Sequence, residues 1–181
     1  MKNTIKSFIT KGAITSSSKF LVSEIVSNID FGKAKVIVEL GVGDGVITSE
    51  LLKRVGTDTR LICFEIDERV AKKFLEKVHQ KNLTLIVKDV VYLSSILRKL
   101  NIKNADYVIS SLPFSLMPDK KTNNILLQCK RLIGTNGVYI MYQYSGMKSR
   151  IIKSTFKNLS RRFVFKNIPP AYVYTCDEHQ D

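Results

Sequence analysis

The chain has 181 residues, 44% of them hydrophobic, enough for one domain with a sizeable core and too few for a second. No apolar run reaches the ~20 residues that a membrane-spanning helix needs, and Met1–Thr10 lacks a signal peptide's apolar core and cleavage site, so a cytoplasmic protein is expected. The net charge of +13 implies an anionic partner, either nucleic acid or membrane. Cys63, Cys129 and Cys176 form no Cys-x-x-Cys pair, and His79 and His179 are scattered, so neither a disulfide framework nor a metal site is indicated.

Met1–Lys11 places Ile5, Phe8 and Ile9 on one helical face bordered by Lys2 and Lys6. Such a helix either lies in a membrane interface or packs on its own domain, and both readings stay open. Gly12 to Ser18 breaks the pattern with small and hydroxyl residues. A serine-capped helix is predicted over Lys19–Ile29, with Phe20, Leu21, Ile25 and Val26 inward. The apolar run Val36–Val38 reads as a buried parallel strand. It stops at Glu39-Leu40 and enters a turn carrying Gly41, Gly43 and Gly45. A helix over Val46–Val55 follows. Strand, glycine turn and helix in that order build a nucleotide site: glycine lets a ligand approach the backbone, and the helix start offers free N–H groups.

A dinucleotide fingerprint would need a glycine at position 46, where Val46 stands, and no Lys-Ser/Thr pair follows for a phosphate-binding P-loop. Leu61–Ile66 is a second strand, with Glu65 20 residues past Gly45. That spacing suits a carboxylate accepting from both ribose hydroxyls of a nucleoside. A helix over Glu68–Gln80 leads to a third strand, Leu83–Val87, followed by Lys88-Asp89. A short helix at Ser94–Leu100 precedes a fourth strand, Ala105–Ser110, which ends in Ser110-Ser111-Leu112-Pro113-Phe114. Thr122–Ile133 is the next helix, closed by Gly134. Val138–Tyr144 is a fifth strand, Tyr-rich at its end. Met147–Leu159 reads as a basic helix, and Arg162–Lys166 and Ala171–Thr175 as two closing strands around Pro169-Pro170.

Charge is spread unevenly along these elements. Met1–Ser23 and Lys120–Cys176 hold 4 and 11 basic residues without one acid, while Glu24–Asp119 is nearly balanced, with 14 basic and 13 acidic. The basic surface is therefore expected on two flanks of a neutral nucleotide-binding half.

Glu39-x-Gly41-x-Gly43-x-Gly45 resembles motif I of the class I S-adenosylmethionine (SAM) methyltransferases. The resemblance implies an α/β fold, a single Rossmann-like domain over residues 1–181 with a seven-stranded, mostly parallel sheet and an antiparallel last strand. It also implies SAM as cofactor, S-adenosylhomocysteine as product, and no metal. Glu39, Gly41, Gly43, Gly45, Glu65, Ile66, Asp89, Val90 and Ser110 would then hold the cofactor. Among them, Asp89 would face the adenine amino group, with Ile66 and Val90 sandwiching the ring.

Gly12–Leu21, Ser110–Phe114, Gln143–Gly146 and Asn167–Tyr172 together look like the bacterial phospholipid N-methyltransferases, relatives of the ribosomal RNA adenine dimethylases. On that resemblance residues 1–31 cover the active site and contact the membrane. The substrate is then the amine headgroup of a phospholipid such as phosphatidylethanolamine, met peripherally at an anionic surface. Ser110, Ser111, Leu112, Pro113, Phe114 and Tyr144 form the catalytic end. Adenine-methylating relatives share an N/D-x-P-F/Y loop whose amide or carboxylate and proline carbonyl accept from the amine. Here Ser111 replaces the Asn or Asp. RNA enzymes also carry a C-terminal helical domain, expected to be missing from a chain ending at Asp181. Both departures favour a lipid amine over nucleic-acid adenine, the alternative substrate; intact motifs argue against a SAM-binding protein without catalysis. Phe114, Tyr142 and Tyr144 are either an aromatic wall for a methylated cation or ordinary strand-end aromatics. No general base is assigned.

Overall fold

Described by a computed structural model are residues 18–180; the predicted Met1–Lys11 helix and the small-residue run up to Ser17 lie outside them. Ser18 caps α1 (Lys19–Val26), its hydroxyl accepting from the Leu21 N–H at 3.3 Å. Leu21, Val22, Ile25 and Val26 form the buried stripe. Phe20, expected inward, is instead 41% exposed. It stands roughly 100° around the helix from Leu21, off the stripe that Val22 completes.

The centre is a sheet in the order β3-β2-β1-β4-β5-β7-β6. β1 (Val36–Leu40), β2 (Arg60–Glu65), β3 (Leu83–Val87), β4 (Tyr107–Ser110) and β5 (Val138–Gln143) are parallel. β7 (Ala171–Asp177) runs antiparallel to β5, and β6 (Asn158–Val164) antiparallel to β7, so β7 alone is reversed. This is the expected seven-stranded, mostly parallel α/β domain. The pleat of β1 shows how it buries two layers. Ile37 packs with Leu21, Leu51 and Phe74, on the side of α1, α2 (Val46–Arg54) and α3 (Glu68–Leu75). Val38 and Leu40 face the other layer, with Leu93, Ile125 and Ile152 from α4 (Leu93–Lys99), α5 (Asp119–Ile133) and α6 (Ser149–Thr155).

Two boundaries move for physical reasons. α3 stops at Leu75 rather than Gln80, because Glu76 to Asn82 offers only Val78 for burial. The predicted helix Met147–Leu159 ends at Thr155, and its last residues belong to β6, which starts at Asn158 instead of Arg162. There the pairing of Asn158 through Val164 with Asp177 through Ala171 overrides a helix-like spacing of basic residues. The Asn158 side chain seals this register, donating to Asp177 Oδ1 at 2.8 Å.

Topology places the site. The chain winds from β1 outward through β2 and β3, then returns to lay β4 against the other side of β1. The order switches between β1 and β4, and in such sheets the crevice beyond the strands' carboxyl ends there receives the ligand. Because β7 runs backwards, the turn that feeds it, residues 165–170 with its cis Ile168–Pro169 peptide, rises at that same edge.

Candidate active site

Three glycines form the floor of the crevice. Gly41, Gly43 and Gly45 all have positive φ, at 87°, 56° and 77°. A Cβ on Gly45 would stand 2.5 Å from the Phe74 ring, so this glycine lets α3 pack over the start of α2. A Cβ on Gly41 would meet Ser111 Oγ at 3.1 Å, so the first glycine admits the loop after β4. Gly43 has nothing within 4 Å of its Cβ position and faces open space. The turn is thus packed at both ends and open in the middle, the shape that a ligand approaching the backbone needs.

Glu65 closes the end of β2. Its carboxylate accepts from the N–H groups of Gly43 at 3.0 Å, Ile66 at 2.8 Å and Asp67 at 3.0 Å. A carboxylate has about four lone-pair sites, so one is left for a ribose hydroxyl, and a second requires the Gly43 bond to yield. Asp89, after β3, accepts from the Val91 N–H at 3.0 Å and pairs with Lys121 of α5 at 2.8 Å. Burial acts to raise its pKa, but the Lys121 ammonium and the Val91 N–H prevail and hold it below the ordinary carboxylate value. Of the two residues expected to sandwich an adenine ring, Ile66 is 65% exposed at the rim, whereas Val90 is sunk in the core.

Glu39 departs from expectation. Sharing the pleat of Ile37, it points under the glycine turn toward α2, not into the crevice, and it is fully buried. Its Oε2 accepts from Cys63 Sγ at 3.4 Å, and its Oε1 has no partner among the described residues. Burial pushes its pKa up to about 7. Glu39 therefore lies beneath the cofactor crevice as a buried polar group rather than as a wall of it.

The loop after β4 is pinned by its own backbone and neighbours. Ser110 is fully buried, its Oγ accepting from the Leu112 N–H at 3.4 Å. The Ser111 hydroxyl donates to the Gly41 carbonyl and lies 3.2 Å from that of Leu40. The Leu112 carbonyl accepts from Gln143 Nε2 at 2.8 Å and from the Phe114 N–H at 2.9 Å, and the Pro113 carbonyl from the Leu116 N–H at 3.0 Å. Phe114, read as either an aromatic wall or an ordinary strand-end aromatic, is 0% exposed; the 3-10 turn Phe114–Leu116 carries its ring into the core on the α5 side, away from any wall. Tyr142 and Tyr144 do meet at the end of β5, edge to face with centroids 5.7 Å apart. Burial raises the Tyr144 pKa, and neither its hydroxyl nor the Ser145 Oγ has a hydrogen-bond partner among the described residues.

Four contributors were not singled out from sequence. Gln143 clamps the Leu112 carbonyl; a glutamine ending an apolar strand was the available signal. Lys121 holds Asp89, and Lys148 donates to the Met117 carbonyl at 3.0 Å while pairing with Asp119, tying the loop after β5 to the loop after β4. Both lysines come from the acid-free flank, whose cations find carboxylates only by reaching across the fold. Asn167, 1% exposed, accepts from the Ser18 N–H at 3.1 Å and so joins the two stretches Gly12–Leu21 and Asn167–Tyr172.

The donor set fits SAM: an open glycine, a strand-end carboxylate and an acid after β3 stand in the right order around the crevice. The sequence profile of the ribosomal RNA adenine dimethylase family matches residues 14–166. An ornithine lipid N-methyltransferase from Singulisphaera acidiphila is 30% identical over 166 residues, covering 91% of this chain and 86% of that protein. The ribosomal RNA small subunit methyltransferase A of Mycoplasma capricolum is 29% identical over 77% of this chain, which spans about half (52%) of that enzyme's length. Among solved structures, the 1,6-didemethyltoxoflavin-N1-methyltransferase of Burkholderia thailandensis, with bound S-adenosylhomocysteine, shares the fold. Its TM-score is 0.73 at 10% identity, over 99% of this chain and 87% of that one. The chain belongs to the ribosomal RNA adenine dimethylase family of SAM-dependent methyltransferases.

Proposed function

We propose that this protein transfers methyl groups from SAM to the amine of a membrane lipid headgroup. Phosphatidylethanolamine is the substrate expected from the sequence, and an ornithine lipid is the substrate that its relative's name suggests. One observation carries the choice. The side chain at the position where adenine-methylating relatives keep Asn or Asp is Ser111, and its hydroxyl is spent on the Gly41 carbonyl. Held there, the short hydroxyl lacks the reach by which an Asn or Asp accepts from an adenine amino group, whereas a primary amine needs only carbonyls and an aromatic face.

When bound, SAM supplies an electrophilic methyl on a sulfonium. Glu65 would hold the ribose, Asp89 would face the adenine, and Gly43 would let the donor approach the backbone. Gln143 and Lys148 fix the loops that shape the amine's place, so its lone pair is oriented and water excluded. Tyr142 and Tyr144 offer faces to the cation that accumulates with each methyl. Tyr144, its pKa raised by burial, stays protonated and is no base; the substrate ammonium gives its proton to bulk water as the headgroup enters, before water is excluded. The enzyme works in the cytoplasm, peripherally at an anionic membrane surface.

Nucleic-acid adenine is the second reading, supported by the family profile and the charge of +13. Radiolabelled SAM offered with phosphatidylethanolamine vesicles, ornithine-lipid vesicles and unmodified ribosomal RNA separates the readings. Label is expected in a lipid extract; label in RNA with none in either lipid would reverse them.

A further inference from the structure

We propose that the β6–β7 turn, residues 165–170, together with the first turn of α1, is the face by which this protein docks on an anionic bilayer. The turn inverts the usual arrangement of side chains. Its asparagine, Asn167, is 1% exposed, while Phe165 is 68% and Ile168 81% exposed, and Pro169 and Pro170 also face solvent. The inversion is held in place by that asparagine. Its N–H donates to the Val164 carbonyl at 3.3 Å, its Nδ2 to the Pro169 carbonyl at 2.6 Å, and its Oδ1 accepts from the Ser18 N–H at 3.1 Å. Three hydrogen bonds therefore fix a backbone that displays apolar side chains, and a contiguous exposed apolar patch marks a contact surface.

The surroundings identify the contact. Phe20 of α1 is 41% exposed, and Lys166 Nζ lies 5.2 Å from its ring centroid and 5.9 Å from that of Phe165. Lys19 Nζ stands over Phe20 at 5.4 Å. On β6, the sheet's edge strand, Phe163 is 52% exposed beside the exposed Arg161 and Arg162. Glu24 meets this face ion-paired with Arg162 at 3.3 Å, and Asp44 and Glu50 line the pocket beside Lys19, Glu50 paired with Lys53 and Arg54. Aromatic and aliphatic tips ringed by cations match a bilayer interface, where apolar groups enter the acyl boundary and Lys and Arg meet anionic headgroups.

Position supports the same conclusion. Tyr172 pairs with Gln143, so the turn before Ala171 stands at the edge where Gln143 clamps the Leu112 carbonyl. A lipid amine at the crevice would keep its acyl chains in the plane that Phe165 and Ile168 enter. The purpose of docking rests on the lipid reading above, but its test does not use methyl transfer.

The chain has no tryptophan, so Phe165→Trp in the full-length protein is a single reporter. Its emission should shift to the blue when vesicles of phosphatidylethanolamine and phosphatidylglycerol are added. The shift should be lost in neutral phosphatidylcholine and reversed by high salt. Leu75→Trp, on α3 near the opposite edge of the sheet from β6, should not shift. Phe165→Ser with Ile168→Ser should bind anionic vesicles about tenfold more weakly in sedimentation, and so should Lys19→Glu with Lys166→Glu, both at unchanged SAM affinity and melting temperature. An unshifted Phe165→Trp overturns the docking face, as does equal shifting by neutral vesicles. A shift produced by RNA and not by vesicles overturns it in favour of a nucleic-acid surface. Label in lipid without a shift removes this face and leaves the proposed function standing; a shift without label in lipid does the reverse.

Discussion

In the crevice between β1 and β4, polar side chains are turned inward onto backbone; in the β6–β7 turn, apolar side chains are turned outward into solvent. Glu65 satisfies three N–H groups and Ser111 the Gly41 carbonyl beneath a turn that opens only at Gly43. Phe165 and Ile168 stand out of a turn whose one buried side chain is an asparagine. Both regions invert the ordinary distribution of polarity, and both hold the inversion with hydrogen bonds. The difference lies in what each would lose when changed. The crevice is tied to both core layers, so substitutions there cost stability as well as function. Phe165 and Ile168 belong to neither core layer, so substitutions of these exposed side chains should leave the fold alone.

Gly45→Ala tests the packed end of the crevice. The new methyl would lie 2.5 Å from the Phe74 ring, at a φ of 77° that side chains rarely adopt. Overpacking and strain together should cost on the order of 3 kcal/mol in urea unfolding. Phe74→Leu should restore part of it, and a loss under about 1 kcal/mol would mean that α3 sits more loosely than described.

Glu39→Gln should rank next, and its effect should depend on pH. The folded carboxyl has its pKa raised to about 7 by burial, against an ordinary value of 4.5. Between those values the native state holds a proton that the unfolded chain has released. The wild type therefore loses stability as pH rises through this window, by about 1.4 kcal/mol per unit and up to roughly 3 kcal/mol in all. Glutamine does not titrate, so Glu39→Gln should gain on the wild type steadily from pH 5 to 7 and then level off. Parallel melting curves across that range would remove Glu39 from the buried position.

Glu65→Ala should weaken SAM binding at least about tenfold, near 1.4 kcal/mol, by removing the ribose acceptor and freeing the Gly43 N–H. Calorimetric titration measures it, and unchanged affinity would put the cofactor elsewhere. At the bottom of the scale, Arg162→Ala breaks an ion pair whose arginine is 76% exposed, and it should shift stability by less than about 0.5 kcal/mol. A larger loss would show the hairpin bound into the fold more firmly than the comparison allows.

The crevice was legible where chain order alone defines it. The glycine turn, Glu65 at the end of β2 and Asp89 after β3 are local patterns, and the parallel order follows from them. What stayed hidden depends on side-chain direction or on distant partners. Which face of β1 Glu39 takes is set by the pleat; whether Phe114 turns into the core is set by a 3-10 turn that propensity does not announce. Lys121 was counted with a basic flank and is spent on Asp89, a partner 32 residues away. Asn158 and Leu159 read as the end of a helix because the register of β6 with β7 is a tertiary fact. Phe20 is exposed because Val22, and not Phe20, completes the buried stripe of α1.

The reversal of β7 has a consequence for how such a protein can diversify. β6 and β7 form the outer margin of the sheet, joined to the rest through β5, and the six residues of their turn belong to neither strand. Insertions or replacements there leave the registers of β1 to β5 untouched. The turn can therefore be rewritten, longer or shorter, greasier or more charged, while the nucleotide half is inherited whole. If this turn docks as proposed, editing it alone would change the surface the chain meets, provided that an asparagine remains to hold its base.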